Sequence, residues 1–90
     1  VAKKLITAEG SLDAAMAEAT ELMGQILQSQ RELNLSPVVT EAATGKLVEA
    51  IAALGQARTA IVGCHNELND VRLRLAAIAS QAQWRLLARL

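Results

Sequence analysis

Ninety residues make one small domain, and 52% of them are hydrophobic although Trp84 is the only aromatic residue. The apolar content is therefore Ala, Leu, Val and Ile. That mix suits closely packed helices and, with one proline, argues against a turn-rich β-architecture. Nine Lys and Arg balance nine Asp and Glu, which excludes the basic footprint of nucleic-acid binding, and the lone Cys64 excludes an intrachain disulfide framework.

At the N-terminus Lys3 and Lys4 precede an apolar run that Thr7, Glu9 and Gly10 interrupt, too short for a signal peptide. Val1 stands where an initiating Met would, as in a piece of a longer product. The first element follows from a seven-residue repeat: Leu5, Leu12, Ala19, Ile26 and Leu33, with Ala8, Ala15 and Leu22 between them and Met16 and Met23 widening the stripe. Such spacing puts apolar side chains on one helical face. Ser11, or Thr7, is placed to cap it, and Asp13 suits a first turn after Ser11. The pattern predicts a helix from about 8 or 11 to 33.

Asn34-Leu35-Ser36-Pro37 reads as a tight turn. Asn tolerates the left-handed conformation that ends helices, Ser caps the next helix, and Pro fits its first position. So short a connection makes the flanking helices antiparallel neighbours.

Beyond Pro37 the repeat is longer. Leu47, Leu54, Ile61, Leu68, Leu75 and Ala82 hold one position, and Ala50, Ala57, Cys64, Val71 and Ile78 hold the position three residues later. This persists past the three to four heptads that justify a coiled-coil-like reading. Gly63 to Asp70 could form a break, giving an up-down-up three-helix bundle. Against a break, Ile61, Cys64, Leu68 and Val71 keep helical phase through it, and Asp70 and Arg74 stand in the i,i+4 order of a continuous helix. The reading adopted is one helix from about 37 to 88.

A helix that long outruns the first. Leu68 and everything after it then lack an intrachain partner, although Leu68, Val71, Leu75, Ile78 and Ala82 form one stripe and Leu73, Ala77, Trp84 and Leu87 another. Helices apolar around so much of their circumference are normally buried, and large bare patches mark association sites. Acids gather early (Glu9, Asp13, Glu18, Glu21, Glu32) and arginines late (Arg72, Arg74, Arg85, Arg89), which suits antiparallel contact.

Chemistry is harder to place. Cys64 and His65 have no second Cys or His to complete a metal shell, and Cys64 in the apolar stripe reads as a small core residue rather than a nucleophile. Carboxylate pairs such as Glu18 with Glu21 read as a solvated face. Gly45, Gly55 and Gly63 are isolated within helical pattern, which suggests close helix approach rather than a phosphate loop. Glu49, Gln56 and Arg58 interrupt the most apolar stretch, Leu47 to Cys64, and argue against a membrane span. Trp84 with Arg85 and Arg89 fits a protein interface better than a membrane anchor.

The expectation is therefore an all-α antiparallel helical hairpin with a long second helix, coiled-coil-like and self-associating into a bundle, in a cytoplasmic protein. Its function would be that of a non-enzymatic interaction module, needing no cofactor, metal, nucleic acid, membrane or small-molecule substrate. The interaction residues would be Leu68, Val71, Leu75, Ile78, Ala82, Trp84, Leu86 and Leu87, on a surface offered to a second copy or another helical protein. The alternative is a small regulator of the antitoxin or anti-repressor type, which occludes a partner's working surface.

Overall fold

The computed structural model describes residues 1–78 and 80–90, without the side chains of Gln81 and Ala82. It is an antiparallel helical hairpin: α1 (Ala2–Glu32) and α2 (Pro37–Ala76) lie side by side, and a short α3 (Gln81–Leu87) follows. At 1.5 Å per residue α1 is about 46 Å long and α2 about 60 Å. The molecule is accordingly a rod, with extents of 69 × 15 × 11 Å.

The turn forms as the sequence implies. Asn34 takes a left-handed φ of 54°. The Leu35 N–H donates to the Gln30 carbonyl and the Asn34 N–H to that of Arg31, the two bonds of a Schellman closure. Ser36 then caps α2 by accepting from the Val38 N–H at 3.3 Å, and Pro37 occupies the first helical position. Thr40 Oγ1 donates across the turn to Gln30 Oε1, tying the second helix back to the first.

Two boundaries differ from the sequence expectation and one contested stretch agrees with it. Helix α1 begins at Ala2, and Thr7 and Ser11 are interior: their hydroxyls donate to the carbonyls of Lys3 and Thr7, four residues back. Helix α2 runs unbroken through residues 63–69, as the conserved phase implies. It stops at Ala76 rather than near 88, because Ser80 starts a new helix in which Gln83 Oε1 accepts from the Ser80 N–H at 2.8 Å. That is half of a capping box, and its S-x-x-Q signature stands in the sequence.

The seam also differs. Leu47, Leu54, Ile61 and Leu68 face α1 as expected, but the second position is filled by Ile51, Arg58 and His65, four residues later rather than three. Ala50, Ala57, Cys64, Val71 and Ile78 are exposed, so Cys64 is not a core residue. On α1 the half-buried row is Leu5, Leu12, Ala19 and Ile26, flanked first by Ala8 and Ala15 and then by Met16, Met23 and Gln30. That change of flank is the drift of a straight helix, about 20° per heptad, against a seven-residue repeat. Leu22 and Leu33 consequently fall outside the seam.

Candidate association surface

The hairpin has two unlike edges. Asp13, one residue beyond Leu12, meets Arg58 of α2, and Glu9 lies 3.4 Å from His65 Nδ1. These pairs occupy one edge, where the seam rotates polar side chains of α2 toward the acids of α1. The Arg58 guanidinium holds its proton more tightly than usual, first because it donates to Asp13 and then because of that residue's charge. The antiparallel match of acids and bases is thus present, but Arg58 and His65 make it rather than the late arginines. Arg72 donates to Asn69 instead. Both cross-helix pairs are substantially exposed, and such pairs contribute little stability.

Among the described residues the opposite edge carries no charge pairs across the helices. Ala43, Ala50, Ala57, Cys64 and Val71 recur every seven residues there, and Lys46, Ala53, Ala60 and Glu67 run beside them, all exposed. Leu22 of α1 lies on the same edge, in a shallow hollow with Glu18, Glu21, Gln25 and Leu47. Seven-residue spacing keeps successive members of each row within about 20° of one another around the helix.

At the far end, α1 covers α2 as far as Leu68, which is half-buried in the seam. Past it, α3 folds back along α2, and Leu87, 8% exposed, is the one buried residue among those described. Leu87 sits between two open hollows of about 260 and 300 Å³: Leu75, Ile78, Gln83 and Leu86 line the first, and Arg72, Leu73, Ala76, Trp84 and Ala88 the second. Leu90 lines a third hollow with Ala2, His65 and Leu68, at the open end of the hairpin. Two of the expected interaction residues, Leu68 and Leu87, are therefore used within the chain. Ile78 (83%), Leu86 (63%) and Trp84 (48%) are exposed, and Val71 and Leu75 are exposed to a lesser degree. The Ala82 side chain lies outside the described residues.

Other chemistry finds little support. Among the described residues no three His, Cys, Asp or Glu side chains converge as metal ligands would. A Cβ added at Gly45, Gly55 or Gly63 would meet nothing within 4 Å, so these glycines do not serve close approach inside the hairpin. Helix α2 is long and apolar enough, by length and composition alone, to cross a membrane, and none of its most apolar window is buried. The helix packed along it, however, carries Glu9, Asp13, Glu18 and Glu21. No known protein family, characterised protein or solved structure matches the chain.

Proposed function

We propose that this chain is a non-enzymatic helical interaction module that works by associating with a second copy of itself. The observation that carries the reading is the surface left in water. The chain exposes 6847 Å², against about 5,000 Å² for a compact monomer of its mass. Part of that excess is simply the rod shape, but among the described residues only one is buried, beside rows of bare Leu, Val, Ile and Ala. A standard interface covers about 800 Å² per partner, well within the excess of about 1,800 Å². The residues proposed for contact are Val71, Leu75, Ile78, Trp84 and Leu86, in the span 64–90.

A membrane explains the apolar surface less well. Immersing the hairpin would take the acids of α1 into hydrocarbon along with α2, and each such charge is costly there.

Light scattering behind a sizing column, over a range of concentrations, tests the proposal. The expected result is a dimer or larger species with an elongated profile, shifted toward monomer by Leu75→Asp and by Ile78→Asp. A wild-type chain that stays monomeric throughout would overturn self-association and transfer the surface to a different helical protein, as the regulator reading requires.

A further inference from the structure

The apolar edge of α2 carries more information than its apolarity. We infer that two copies of the chain pack α2 against α2 in antiparallel fashion, about a two-fold axis through Ala57. This rests on the self-association proposed above and specifies its geometry.

Charge sets the direction and the register. The row Lys46, Ala53, Ala60, Glu67 has one cation and one anion at its ends, both on exposed positions. A parallel pair would set Lys46 beside the partner's Lys46 and Glu67 beside the partner's Glu67. An antiparallel pair centred on Ala57 brings Lys46 within one residue, about 1.5 Å along the axis, of the partner's Glu67, twice by symmetry, and Ala53 likewise of the partner's Ala60. In this isologous arrangement every contact occurs in duplicate. Within the chain Lys46 is engaged only by Glu49, at 3.4 Å and with the Lys46 side chain 82% exposed, so it is free to change partner.

The neighbouring row fits the same register. Cys64 falls against the partner's Ala50 and Val71 against the partner's Ala43, larger side chains meeting methyl groups. With Ala57 against its own copy, the two axes can approach to about 8 Å, the close end of helix packing. The contact from Ala43 to Val71 is about 42 Å long. Beyond it, Ile78 reaches the partner's turn, where Leu35, Val38 and Val39 are exposed. One register thus covers the middle of the edge and brings Ile78 to the partner's turn. The ion-paired edge of each hairpin faces water.

Disulfide trapping under mild oxidation reads the geometry directly, because bridging needs Cβ atoms about 3.5–4.5 Å apart. Ala57→Cys in a Cys64→Ser background is expected to give a covalent dimer across the axis. Ala50→Cys with native Cys64 is expected to trap the dimer through the 50–64 pair. The native chain should resist direct Cys64–Cys64 bridging, since antiparallel packing separates the two thiols by 14 residues along the rod, about 21 Å. Charge exchange gives a second readout: Lys46→Glu or Glu67→Lys alone should raise the dimer dissociation constant about fivefold to tenfold, and the double exchange should restore it. A dimer that bridges through native Cys64 is parallel and overturns this inference while leaving self-association intact. So does a dimer trapped by none of these cysteines and indifferent to the charge exchange. A chain monomeric by light scattering overturns both.

Discussion

The hairpin and the segment after Ala76 are held by different means. In α1 and α2 the seam positions are half-buried one after another along more than 40 Å, with none fully enclosed. Helix α3 has seven residues, too few to persist alone in water, and rests on one enclosed side chain, Leu87. Distributed burial makes the hairpin cooperative along its length, whereas a single anchor makes α3 a separable unit that can open without the rest.

The largest effect should come from breaking the distributed seam. Leu54→Asp puts a carboxylate at its middle, in place of a half-buried apolar side chain. It is expected to cost about 3 kcal/mol, close to the upper range for single substitutions. Urea unfolding followed by far-UV circular dichroism should show the whole helical signal lost at a lower midpoint. A loss confined to part of the signal would mean that the hairpin is not one cooperative unit.

Next in size is the anchor. Leu87→Ala is expected to cost about 2 kcal/mol, the low end for a buried leucine at a site open on two sides. The loss should be local. Amide hydrogen exchange should quicken for residues 84–90, while the seam amides of α1 and α2 keep their protection. Equal quickening everywhere would show that α3 is a structural part of the hairpin rather than an appendage.

That contrast explains what could be read beforehand. The hairpin was legible because Leu47, Leu54, Ile61 and Leu68 repeat over many turns and because Asn34, Ser36 and Pro37 each have one strong local preference. The rotation of α2 was not legible. Ala50, Ala57 and Cys64 are small and gain little from burial, whereas the long side chains of Arg58 and His65 cover the seam with their apolar parts while their polar ends reach Asp13 and Glu9, which apolar periodicity does not register. The end of α2 was hidden for another reason. Ala76, Ala77, Ile78 and Ala79 are all compatible with helix, so only Ser80 with Gln83 marks the break, a short signal inside a long repeat. Leu68 falls to an interface when α1 is started at 8 or 11 rather than at Ala2, and Leu87 does so because a helix running to 88 cannot fold back to bury it.

A pair of capping substitutions compares the two regions on one scale. Ser36→Ala removes the acceptor of the Val38 N–H, and Gln83→Ala removes the acceptor of the Ser80 N–H. Each should cost about 1 kcal/mol. In the hairpin that loss should lower the unfolding midpoint slightly with no change in native helicity. In α3 the same loss meets a helix with little to spare, so exchange at residues 84–88 should quicken severalfold. Equal behaviour at both ends would contradict the division drawn above.

The smallest expected effect is a gain. A Cβ at Gly24 or Gly63 would enter open space in the isolated chain, and both glycines lie inside helices where alanine is preferred by about 0.5–1 kcal/mol. Gly24→Ala and Gly63→Ala should each raise the urea midpoint accordingly, and since the sites are far apart their gains should add. The two differ in what surrounds them. Gly63 neighbours Cys64 on the proposed contact edge of α2, whereas Gly24 lies on α1. If Gly24→Ala stabilises and Gly63→Ala does not, the missing gain must come from a neighbour that the single chain lacks. A partner pressed close to α2 is such a neighbour, and the deficit should then disappear at concentrations low enough to dissociate it.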